Sequence, residues 1–133
     1  GEVFDIDGTT LLAMGGAASN DRQYRSEGRS WWPQEMPSEE EVGHCRASLD
    51  RAGWKVDYVV THEAPAALAK GLCRECGREY HGDPLQRFLG ELDGRLDYRV
   101  WIFGHYHGDK WCDSKHRLIY QDIVPIEDTA PSF

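Results

Sequence analysis

Three imidazoles stand where apolar runs of this chain end. Residues 56–61, Val-Asp-Tyr-Val-Val-Thr, lead directly into His62, and residues 98–103, Tyr-Arg-Val-Trp-Ile-Phe, lead into Gly104-His105-Tyr106-His107. Imidazole nitrogen is a common ligand for divalent metals of the manganese, iron and zinc type. Side chains alternate along an extended backbone, so His105 and His107 point the same way if the chain stays extended, with Gly104 permitting a tight turn before them. Loops that follow the strands of one sheet lie along one edge, which lets His62, His105 and His107 converge there.

The elements that must position these rings can be read from pattern. Strands are expected over 3–6 and 10–14, joined at Asp7-Gly8, a strong two-residue hairpin signal. An irregular loop over 20–37, rich in Arg, Trp, Gly and Pro, precedes a helix over 38–52 capped by Ser38 and stopped by Gly53. Glu39, Glu40 and Glu41 then form the acidic first turn. Residues 55–61 form the next strand, and 66–82 read as an insert carrying Cys73-Arg74-Glu75-Cys76. Asp83-Pro84 opens a helix to about Leu92 with Gly94 as its stop. Residues 97–103 deliver the His105 loop, and 111–112 with 118–122 form a closing hairpin. The segment from Ile123 onward reads as extended or partly disordered.

The chain has 133 residues and a net charge of −8, with 23 acidic side chains against 15 Lys plus Arg. That length suits one hydrophobic core, and the acidic field argues against binding along a nucleic-acid backbone. No apolar run approaches a membrane span, and the charged opening does not read as a secretory leader, so cytoplasmic residence is expected. The four cysteines are too sparse for a disulfide framework. Cys73, Cys76 and His81 imitate part of a zinc knuckle, but Gln86 stands where its fourth ligand would fall, and two free thiols are the expectation. His44, His81 and His116 lack a comparable context and read as solvent-facing or structural.

Taken together, GHYH after an apolar strand, THEAP after the preceding strand, and GGAASNDRQYRSEGRSWWPQEMPSEEEV upstream resemble the carboxy-terminal half of a calcineurin-like metallophosphoesterase. The resemblance runs from about Gly15 to about Asp109. It implies a partial domain over 1–133 of α/β class, with a mixed sheet flanked by helices, equivalent to the second half of an αββα sandwich. It also implies phosphoester hydrolysis at a dinuclear centre of divalent ions, with His62 and His105 sharing one metal and His107 serving its neighbour. The same resemblance puts Asp21, Arg25, Trp31 and Trp32 near the catalytic edge as candidates for substrate contact; an Asp21–Arg25 ion pair with the tryptophans as core plugs is the competing expectation.

The chain departs from that family in lacking three of its motifs. Asp5-Ile6-Asp7 has no histidine, Asn20 is followed by Asp21, and Gly82-Asp83 precedes Pro84 at a helix start. Weak metal binding and little or no hydrolysis by this chain alone are therefore expected. A half-domain also exposes a sheet face, favouring a homo-oligomer or association with a complementing amino-terminal half. Two alternatives stand beside this reading. One is a non-catalytic module that oligomerises. The other rests on Phe4-Asp5-Ile6-Asp7-Gly8-Thr9, which resembles the opening box of haloacid-dehalogenase phosphatases and by that resemblance implies Asp5 as nucleophile, Asp7 as acid/base and an assisting magnesium, and on Gly108 to Asp113 as a later acidic box.

Overall fold

A computed structural model describes residues 1–19 and 21–132; Asn20, at the head of the expected loop, lies outside the described residues. β1 (Glu2–Ile6) and β2 (Thr9–Met14) form the expected hairpin, with Ile6 opposite Thr9. Asp7 and Gly8 take φ of 53° and 87°, the left-handed pair that a type I′ turn demands. Asp5 Oδ1 accepts from the Gly8 N–H at 2.8 Å. The Asp-x-Asp-Gly box is thus turn chemistry here, and a second strand follows it at once, not the loop and helix its phosphatase role requires.

Residues 21–37 hold two short 3₁₀ turns, Arg22–Tyr24 and Pro33–Glu35. α1 (Glu39–Arg51) starts with a reciprocal capping box: Ser38 Oγ accepts from the Glu41 N–H, and the Glu41 carboxylate accepts from the Ser38 N–H. β3 (Tyr58–Thr61) follows, then α2 (Ala66–Glu75), α3 (Pro84–Arg95), β4 (Val100–Phe103), β5 (Lys110–Trp111) and β6 (His116–Leu118).

Three expectations need correction. The segment read as an insert is half helix, because Ala69 and Leu72 recur at helical spacing and bury one face of α2. α3 runs past Gly94 to Arg95, whose guanidinium lies 3.5 Å from the Trp54 ring centroid while Leu92 and Leu96 are buried. Those contacts outweigh the roughly 1 kcal/mol that an interior glycine costs a helix. The closing hairpin is shifted toward the amino terminus: residues 120–122 donate their N–H groups to the Asp109 carboxylate and so form a loop, not a strand.

The six strands order as β1-β2-β3-β4-β6-β5, with β2, β3, β4 and β6 mutually parallel and the two outer strands antiparallel. The chain is α/β with a mixed sheet. Both crossovers, β2 to β3 and β3 to β4, step the same way, and a fixed crossover hand then puts their helices on one face. The core confirms it. Leu12, Val59 and Trp101 align across β2, β3 and β4 and are fully buried with Leu49 of α1, Leu72 of α2 and Leu89 of α3 in one cluster. Each such side chain contributes roughly 1.5–3 kcal/mol on leaving water. On the opposite face Ala13, Val60 and Ile102 align but are only half-buried, and Phe4 and Ile6 of β1 are exposed. Among the described residues no helix is long and apolar enough to cross a membrane.

Candidate metal centre

β3 and β4 are parallel neighbours, so the loops at their carboxyl ends emerge side by side, and His62 and His105 lie in them. The Gly104 N–H donates to the His62 carbonyl at 3.1 Å, tying the two loops together one step beyond the ladder. A Cβ at Gly104 would stand in ordinary contact with the His62 ring, 3.4 Å from Nδ1. The Tyr106 N–H then donates back to the Gly104 carbonyl at 2.8 Å, closing a three-residue turn with His105 at its centre and φ of 68°. This is the strained form of γ-turn, and such strain gathers at functional sites.

The turn aims His105 Nδ1 at His62 Nε2, 3.2 Å away, with the rings edge to face. Two nitrogens bound to one tetrahedral cation at about 2.0–2.1 Å lie about 3.3 Å apart. The pair therefore has the spacing of two ligands on one ion. Burial of the His62 ring pulls its pKa down, the facing His105 adds to that, and Glu63 opposes both. The net lowering keeps His62 neutral at pH 7 with a lone pair to offer.

His107 is placed differently from the expectation. It too has a positive φ, 51°, so the chain is not extended through residues 105–107 and the period-two argument fails there. Its exposed ring stacks on Tyr120 with centroids 4.4 Å apart. Among the described residues, no three His, Cys, Asp or Glu side chains are gathered as ligands for one metal ion. Two of the three histidines are brought together and the third stands on the far side of the turn.

Glu63 is the residue that sequence reasoning missed. It is 1% exposed, and its Oε1 accepts from Tyr106 Oη at 2.6 Å and from the Ala64 N–H at 2.7 Å. Its Oε2 lies 3.6 Å from His105 Nε2. Burial and the Glu63 carboxylate together push the Tyr106 phenol far above its ordinary pKa, so it stays a donor. The available signal was a carboxylate beside a strand-end histidine in an apolar setting.

A cleft of about 560 Å³ opens beside the histidine pair, lined by His62, His105, Gly15, Gly16, Ser19 and Glu35 among others. Ser19 donates its N–H and hydroxyl to the Glu35 carboxylate at 3.0 and 2.6 Å. Burial raises the Glu35 pKa, but those bonds and the charges of Arg22 and Arg25 more than reverse it, so Glu35 is ionised. Glu41 is also on the wall, its carboxylate accepting from the Ser38 N–H, and so is the amino-terminal Gly1. A second cavity, of about 620 Å³, lies on the His107 side and is lined by Asp21, Tyr24, Tyr80 and Tyr106.

The remaining candidates are engaged locally. Arg25 Nε donates to Asp21 at 2.7 Å and Nη1 to the Ser30 carbonyl, the loop-fixing pair. Trp31 lies under the Arg22 guanidinium at 3.8 Å, and Trp32 is 51% exposed, so Trp32 is no core plug. His44 pairs with Glu2, and exposed His81 with Glu79. His116 is buried between Asp93, Asp113 and Tyr98, which gives it and Asp113 structural work at the amino end of β6. Cys73, in the last turn of α2, and Cys76, its C-cap residue, are free thiols. Searches against known protein families, curated proteins and solved structures find no match to this chain.

Proposed function

We propose that His62 and His105 hold a divalent cation and that the chain is the second half of a metal-dependent phosphoester hydrolase of the calcineurin-like type. The observation that carries this reading is the 3.2 Å separation of two facing ring nitrogens at the carboxyl edge of β3 and β4. The single helical layer on the sheet agrees with half of a layered sandwich. When bound, divalent ions of the manganese, iron or zinc type neutralise charge at a phosphoryl group and lower the pKa of coordinated water. The chain's own residues do the holding: His62 stays neutral, His105 is fixed by its turn, and His107 serves the neighbouring ion from the other side of that turn.

Two nitrogens are half of a four-ligand shell, so the remaining ligands come from a complementing segment or a second copy. The chain alone then binds metal weakly and hydrolyses phosphoesters slowly or not at all. Hydrolysis of bis(p-nitrophenyl) phosphate with added manganese tests this. Turnover near the uncatalysed rate is expected, and robust turnover that is lost in His105→Ala would overturn the incompleteness. Cytoplasmic residence belongs to the same reading.

The half-buried apolar face of the sheet favours a second reading, a module that oligomerises through that face. Sedimentation at high concentration tests it, because a strictly monomeric profile excludes the oligomer.

A further inference from the structure

We propose that Cys73 and Cys76 are a dithiol site that closes to a reversible disulfide, and that closure loosens the cap at the end of α2 on the wall of the second cavity. The site stands apart from the cation reading: both thiols line the cavity of about 620 Å³, whereas His62 and His105 line the other cleft. The four thiols divide by burial. Cys45 is fully buried and Cys112 packs against the core, and burial pushes both thiols up in pKa, so neither is a ready nucleophile. Cys76 is exposed and Cys73 half-buried.

The backbone brings the pair to disulfide range but not into disulfide geometry. Arg74 and Glu75 between them are helical, which sets the two Cα atoms about 5 Å apart, within the roughly 4.4–6.8 Å that disulfides span. Their Cβ atoms, about 5–6 Å apart on one helix face, must still approach by about 1–2 Å. A Schellman cap opposes that movement. The Cys76 N–H donates to the Leu72 carbonyl and the Gly77 N–H to the Arg74 carbonyl, both at 3.1 Å, and the Arg78 N–H donates to the Cys73 carbonyl at 2.8 Å, with Gly77 at φ of 65°. Glu75 also pairs with Lys110 of β5. A bond that must work against such a cap is easily reduced, the property of regulatory disulfides in reducing compartments. Tyr106 and His107 line the same cavity, so the wall that moves stands beside the turn that carries them.

The oxidant is a small disulfide such as glutathione disulfide. The Cys76 thiolate attacks one of its sulfurs and releases one glutathione; the Cys73 thiolate then attacks Cys76 Sγ of the mixed disulfide and releases the second. The two thiols give up two electrons, and their protons leave on the two glutathiones.

The experiment treats the intact chain with glutathione disulfide in the presence of EDTA and reads mass and amide exchange. A loss of about 2 Da is expected, reversed by excess reduced glutathione. Trypsin cuts after Lys70, Arg74 and Arg78, so the bond is expected to join peptides 71–74 and 75–78. Cys73→Ser is expected to stop at one glutathione on Cys76. The Arg78 amide is expected to exchange at least about threefold faster in the oxidised chain, because its bond to Cys73 is weakened. A chain that stays unmodified, carries a glutathione on each of the two thiols, or joins any other pair of cysteines overturns the site. A bond that survives excess reduced glutathione overturns its reversibility, and one that leaves Arg78 exchange unchanged overturns its coupling to the cap.

Discussion

The indole N–H of Trp101 donates to Thr61 Oγ1 at 2.8 Å, and the Thr61 hydroxyl in turn donates to the Glu63 carbonyl at 2.6 Å. Trp101 is fully buried and Thr61 nearly so. One hydroxyl thus anchors the loop that carries His62 to the neighbouring strand, and it does so where no water can replace it. Thr61→Val preserves shape but strands the indole donor and the carbonyl acceptor. Urea denaturation is expected to show a loss of about 1–3 kcal/mol; a loss below about 0.5 kcal/mol would show that the relay does not stabilise the loop.

Buried His116 makes stability depend on pH. Burial alone lowers its pKa, but the hydrogen bond and charge of Asp93 and the charge of Asp113 more than reverse this, so the folded value is raised. Its contribution is therefore complete below the unfolded value of about 6.5 and is lost as pH rises through the folded pKa. Burial raises Asp93 and Asp113, yet their hydrogen bonds and the His116 charge hold both below the ordinary value, so their contribution is lost as pH falls below about 4. Melting temperature is expected to decline on the alkaline side of about 6.5 in the native chain, and that arm is expected to flatten in His116→Gln. An equally steep alkaline decline in the variant would assign it to other groups.

Gly16 and Gly15 share the exit of β2 but not its constraints. Gly16 has φ of 102°, and a Cβ there would meet the Glu35 carbonyl at 2.8 Å, whereas nothing lies within 4 Å of one at Gly15. Gly16→Ala is expected to cost about 1–3 kcal/mol and to displace the Glu35 wall of the cleft, with Gly15→Ala within about 0.5 kcal/mol of native. Thermal unfolding of the two variants side by side checks this, and equal stabilities would contradict it.

How much of this was legible follows from the range of each interaction. Asp7-Gly8 announced its hairpin, and Ser38 and Asp83 announced their helices, because turns and caps are decided within a few residues. The end of α3 was not readable, since Trp54 and the core, both distant in sequence, carry it past Gly94. The edge that collects His62 and His105 could be inferred from parallel strands. The positive φ at His105 and His107 could not, because it is uncommon in nonglycine residues and no turn signal in the local sequence demands it there. Glu63 was missed for the same reason, since Tyr106 lies 43 residues away, and of the two expectations for His116 the structural one holds, its Asp93 partner lying 23 residues away.

The most direct test of the central claim is zinc affinity, measured by competition with a chromophoric chelator, for the native chain and for His62→Ala, His105→Ala and His107→Ala. If the 3.2 Å pair is one site, removing either nitrogen destroys it, so the first two variants should lose zinc binding to a similar, non-additive degree while His107→Ala retains it. Native-like affinity in both His62→Ala and His105→Ala would show that the two rings face each other as a hydrogen-bonded pair and hold no cation.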